Sequence, residues 1–136
     1  MQKISSPRDC VSPLIKHADR REVFGVITLN GNNEIMAVKV LFQGTVNLCP
    51  VLPREIFRYA IMKDAVNIIV FHNHPSGNPE PSEKDFRITE QLIEGSKILE
   101  VQLLDHIIIT KTSYYSFLEH GQLFQLDDKN SKVASN

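Results

Sequence analysis

The residues whose types and spacing point to chemistry lie between Val66 and Arg87, in V-N-I-I-V-F-H-N-H-P-S-G-N-P-E-P-S-E-K-D-F-R. His72, His74, Ser82 and Asp85 fall there in the pattern His-x-His-x7-Ser-x2-Asp. Two imidazoles and a carboxylate are donors that hold zinc. Three protein ligands leave a fourth tetrahedral position for water, which is the arrangement of a catalytic site.

The elements around the pattern must bring these side chains together. Residues 67–71 are apolar and rich in β-branched types, too short a run for a typical helix, and so predict a buried strand. Side chains on a strand repeat every two residues, so His72 and His74 share a face and Asn73 turns away. Pro75, Gly77, Pro79 and Pro81 force a loop before Ser82. A helix then starts, with Ser82 at its N-cap, Glu83 and Asp85 in the first turn, and an apolar pattern at Phe86, Ile88, Leu92, Ile93, Ile98 and Leu99. If the loop folds back, Asp85 faces the two imidazoles.

Plainer explanations exist for the parts. Ser-x-x-Asp is a relative of the capping box, and strand-end histidines are often ordinary hydrogen-bonding residues. The conjunction of both, joined by a rigid loop, favours a metal site.

These residues resemble the JAMM (MPN+, JAB) metalloprotease motif. H-N-H-P-S-G-N-P-E-P-S, together with L-D-H-I-I-I downstream and F-Q-G-T-V and P-R-E-I-F-R-Y-A upstream, resembles more closely the RadC family, long labelled DNA repair proteins, from about Ile4 to Phe124. The resemblance implies an α/β (α+β) domain of cytidine deaminase-like JAB/MPN type, with a mixed, curved sheet flanked by helices. It also implies zinc held by His72, His74 and Asp85.

Hydrolysis at such a site needs a base, and spacing alone leaves Glu22, Glu34, Glu55, Glu80 and Glu83 open. In JAMM proteins the catalytic glutamate opens an early strand in a pattern like Glu-x-x-Gly, and Glu22-Val23-Phe24-Gly25 is similar to it. The resemblance therefore implies Glu22 as general acid/base and Ser82 as a residue that steadies the oxyanion. The sequence has neither a Gly-x-Ser-x-Gly elbow nor a His-Glu-x-x-His motif.

A length of 136 residues with 42% hydrophobic content suits one domain, taken as 1–126, followed by a polar tail at 127–136 expected to be disordered. The formal charge of −1 gives no global basic footprint, so charge does not support nucleic acid as a partner; a peptide or protein substrate is expected. Cys10 and Cys49 form no C-x-x-C pair, and no signal peptide or long apolar span stands out, so the expected location is cytoplasmic, away from membranes.

Elsewhere, a short helix is expected after Pro7, with Val11, Leu14, Ile15 and Ala18 inward and His17 at the surface. Strands are expected at 22–29 and 34–42 around an Asn30-Gly31 turn, with a third short strand at 44–49. Pro53 begins a helix that buries Ile56, Phe57, Ala60, Ile61 and Ala65, leaving Arg54, Glu55, Arg58 and Lys63 wet. Residues 101–110 read as a strand in which Asp105 and His106 either support the ligands or are purely structural. Ser113 is expected to cap a last helix at 114–119 that closes at Gly121, with His120 exposed.

Two other functions stay open. One is a nucleic-acid-linked role following the RadC label, although no helix-hairpin-helix segment like that of longer members is recognisable here, so the chain reads as a piece of a longer member or a short stand-alone one. The other is a non-catalytic MPN scaffold, in which the metal ligands are typically lost.

Overall fold

A computed structural model describes residues 2–18, 21–44 and 51–123. Five strands form an open mixed sheet: β1 (Val23–Leu29), β2 (Ile35–Gln43), β3 (Asn67–Asn73), β4 (Gln102–Ile109) and β5 (Tyr114–Ser116), in the order β2-β1-β3-β4-β5. All pairs are antiparallel except β3 with β4. The expected mixed sheet flanked by helices is what forms. The expected strand at 44–49 and the tail at 127–136 fall, beyond Gly44, outside the described residues, as does Cys49.

β1 and β3 are apolar on both faces, and the sheet accordingly carries cover on both. Helices α2 (Pro53–Met62) and α3 (Glu83–Leu99) pack over one face, where Ile56, Phe57 and Leu92 meet Val26, Ile68, Val70 and Ile108. On the other, the N-terminal turns Pro7–Cys10 and Ile15–His17, with α1 (Val11–Leu14) between them, set Cys10 and Leu14 against Ile27, Ile69, Phe71 and Ile107. Burial pushes the Cys10 thiol up to about 12, which makes it an inert core residue.

Two glycines permit close approach. A Cβ at Gly25 would lie 2.4 Å from the Lys39 carbonyl oxygen and 2.5 Å from Phe71, so β1 can lie between β2 and the Phe71 ring only without a side chain there. Gly95, a poor helix former in the middle of α3, faces the Phe57 ring, where a Cβ would come within 2.7 Å. Its helical cost is offset by α2–α3 contact.

Several expectations change. Residues 114–116 are a strand, not the start of a helix: Tyr114 and Tyr115 pair with Ile109 and Ile108, and a turn at Phe117–Gly121 follows. Ser113 caps nothing and instead closes a turn with Thr110. Ile15, Ile61 in α2, and Ile98 and Leu99 in α3 are exposed. His17 is half-buried and stacks on Phe71, with centroids 5.7 Å apart. His120 is exposed, as expected, with its ring on Tyr115.

Asp105 ties β4 to the turn after β5. Its carboxylate accepts hydrogen bonds from the His106 N–H (2.7 Å), the Leu118 N–H (3.0 Å) and the Ser116 hydroxyl (2.6 Å). Burial outweighs these donors and raises its pKa from 3.8 to about 6. A raised carboxyl pKa means that the folded chain binds the proton more tightly than the unfolded one. That contribution is fully present below 3.8 and is lost as pH rises through about 6. Asn at this position keeps the two backbone bonds and donates to Ser116. Denaturant titrations of wild type and Asp105→Asn across this window should therefore show wild type losing on the order of 3 kcal/mol relative to the variant.

Candidate metal centre

The strand period works as expected: His72 ends the run that buries Ile68 and Val70 under α2 and α3, and His74 follows on the same side. Their Nε2 atoms lie 3.0 Å apart. His72 is buried, with Phe24 stacked on its ring at 5.5 Å, whereas His74 is partly open. The His74 Nδ1–H donates to the Asn78 carbonyl oxygen at 2.9 Å, and since a carbonyl only accepts, the neutral ring presents a bare Nε2.

The Pro/Gly loop returns the chain to α3. Ser82 and Asp85 form a capping box: the Ser82 hydroxyl accepts from the Asp85 N–H at 3.3 Å, and Asp85 Oδ2 accepts from the Ser82 N–H at 2.8 Å. The carboxylate that completes the cap also reaches His72 Nε2 at 3.1 Å through Oδ1 and His74 Nε2 at 3.4 Å through Oδ2. Burial works against the charged carboxylate, but the two imidazoles outweigh it and hold Asp85 well below the usual carboxylate range. Burial also opposes charge on His74, yet Asp85 and the Asn78 carbonyl prevail and raise its pKa.

Glu22 comes from the residue before β1. Pairing of Phe24 with His72 places the start of β1 beside the end of β3, and Glu22, His72 and His74 each offer one ligand-type atom, all within 4.8 Å of one another. Asn73, turned away from the imidazoles, holds this segment: its Oδ1 accepts from the Val23 N–H at 2.8 Å and its amide donates to the Arg21 carbonyl at 3.4 Å. Burial raises the Glu22 pKa, with His72 and His74 pulling the other way.

Behind the two imidazoles lies an arrangement that the sequence only hints at. His106, fully buried, meets His72 Nδ1 at 2.9 Å and Thr89 at 2.6 Å. Thr89 went unremarked, although its place one turn after Asp85 puts it on the same side of α3. Burial, followed by the nearby His72, holds the His106 pKa well below its ordinary value.

The donors fit a zinc ion. With bonds of about 2.0–2.1 Å, tetrahedral ligand atoms stand roughly 3.3 Å apart, close to the separations among His72, His74 and Asp85. Two ring nitrogens and a carboxylate oxygen also suit zinc chemically.

A family model described as a RadC-like JAB domain matches residues 2–122. The chain belongs to the RadC-like JAB domain family. Relatives of this RadC-like domain include UPF0758 proteins of Clostridium beijerinckii, 43% identical over 121 residues, and Methanosarcina mazei, 39% identical over 122; each alignment covers 88% of this chain and 53% of the relative. A UPF0758 protein of Stenotrophomonas maltophilia is 44% identical over 103 residues, 76% of this chain and 44% of its own. The RadC-like chain thus spans about half the length of these relatives.

Proposed function

We propose that this RadC-like JAB domain is a zinc-dependent hydrolase of the peptidase or isopeptidase type. The observation that carries the reading is the convergence of His72 Nε2, His74 Nε2 and the Asp85 carboxylate within 3.4 Å contacts, with Glu22 beside them. His72, His74 and Asp85 would hold the zinc, which when bound supplies Lewis acidity and lowers the pKa of a coordinated water towards neutrality. Glu22 takes a proton from the attacking water and returns it to the leaving nitrogen, and its partly buried setting favours that exchange. Ser82 uses a lone pair to cap α3, which leaves its hydroxyl hydrogen to donate to the oxygen of the attacked carbonyl. The substrate is a peptide or protein amide, and the working compartment is the cytoplasm; no helix among the described residues is long and apolar enough to cross a membrane.

Metal content by elemental mass spectrometry tests the reading, on wild type and His74→Ala purified without added metal or chelator. About one zinc per chain in wild type, lost in His74→Ala, is expected for a site with three protein ligands. Wild type that takes up no metal even when zinc is offered overturns the hydrolase reading and turns attention to protein or nucleic-acid binding.

A further inference from the structure

His72 can serve as a ligand through Nε2 only if its ring hydrogen sits on Nδ1, and the structure contains a chain of hydrogen bonds that decides where that hydrogen goes. The chain begins at the main-chain carbonyl of Asp85. Thr89 Oγ1 lies 2.6 Å from that oxygen, and a carbonyl cannot donate, so the hydroxyl hydrogen lies between them. The same Oγ1 is 2.6 Å from His106 Nδ1. With its hydrogen already committed, the hydroxyl accepts there, and Nδ1 of His106 carries the hydrogen.

His106 is fully buried, and its two ring nitrogens meet the Thr89 hydroxyl and the His72 ring. Its neighbours Phe24 and Phe117 add apolar walls, the latter stacked at 4.6 Å. A neutral imidazole has one N–H, so with Nδ1 protonated its Nε2 is an acceptor. His72 Nδ1, 2.9 Å away, is then the donor.

We propose that Thr89 and His106 are positioning residues that lock His72 in its Nδ1–H form, so that its Nε2 points at the metal position as a lone pair. His74 is locked in the same form by the Asn78 carbonyl. With the ring hydrogens held on Nδ1, the two Nε2 atoms, 3.0 Å apart and facing the Asp85 carboxylate, are left open to a cation, whether a proton or a metal ion, so the locks prepare the site for a metal. The chain of bonds also runs from one ligand residue to another, because Asp85 anchors it through its main chain while its carboxylate faces the two rings.

The proposal rests on the metal reading above, and its test separates the two. In metal-free, 15N-labelled protein, two-bond 1H–15N correlation spectra of the imidazoles report which ring nitrogen carries hydrogen. His72 and His106 should both be Nδ1–H. Thr89→Val removes the hydroxyl at nearly constant volume; it should release His72 into a mixture containing Nε2–H and weaken zinc binding, read by competition with a chromophoric chelator, by about ten- to a hundredfold. Thr89→Ser should restore both signals. A His72 ring without hydrogen on Nδ1 in wild type, a doubly protonated His106, or wild-type zinc affinity in a folded Thr89→Val overturns the lock. Because the wild-type spectrum needs neither metal nor variant, it stands even if Thr89→Val fails to fold. Absence of zinc binding in wild type would instead count against the metallohydrolase reading.

Discussion

Glu22→Gln should lower the rate of amide hydrolysis by about a hundred- to ten-thousandfold while leaving zinc content at the wild-type level. Glutamine keeps the size and the hydrogen-bonding shape of the side chain but cannot hold the proton that the attacking water releases. The two readouts together assign the role. The Glu22 carboxylate lies within the same 4.8 Å group as the ring nitrogens of His72 and His74, so it is near enough to be either a ligand or a base. Loss of zinc in Glu22→Gln would make it a ligand and leave the reaction without its proposed base. The pH profile gives a second check. Burial raises the Glu22 pKa, and the base works only when deprotonated, so activity should rise with pH through a limb displaced above the ordinary carboxylate value of 4.5. The measurement is kcat/KM against pH on whichever substrate a peptide and isopeptide screen yields.

Asp85→Asn should abolish the stabilisation of the fold by zinc while leaving α3 capped. Asparagine can accept the Ser82 N–H as aspartate does, so the cap geometry survives and helix α3 should lose only the roughly 0.3–1 kcal/mol that a negative charge contributes in the first turn. What it loses is the anion between His72 and His74. For wild type, free zinc at about a hundred times its dissociation constant adds about 2.7 kcal/mol to folding, and the variant at the same concentration should gain almost none. Thermal or denaturant unfolding with and without zinc measures the difference. An equal gain in both proteins would remove Asp85 from the ligand set. Asp85→Ala, by contrast, removes the bond to the Ser82 N–H together with the carboxylate facing the imidazoles and cannot tell the two losses apart.

Local rules carried much of this site. The two-residue period of a strand put His72 and His74 on one side, the proline-rich loop required a return, and the first turn of a helix placed Asp85 where it completes the cap and faces both imidazoles. Glu22 was different. Five glutamates had equal claims by spacing, and what places Glu22 is the pairing of β1 with β3, a contact between residues fifty positions apart that no local pattern encodes. The family resemblance supplied that choice. Thr89 and His106 were under-read for a related reason: a polar residue within an apolar helix face and a histidine within an apolar strand look merely structural until the parallel pairing of β3 and β4 sets His106 beside His72. The misplaced last helix shows the opposite failure. Ser113 has the chemistry of a cap, but a three-residue pairing with β4 outweighs that preference at Tyr114–Ser116.

Asn73 follows His72 directly, and its amide grips the chain on both sides of Glu22, at Arg21 and at Val23. Fraying at the start of β1 therefore cannot proceed without breaking a buried side-chain bond to the strand that carries both histidines. Glu22 is thereby tied to the strand that leads into both imidazoles, and the start of β1 should open less readily than an unanchored strand end.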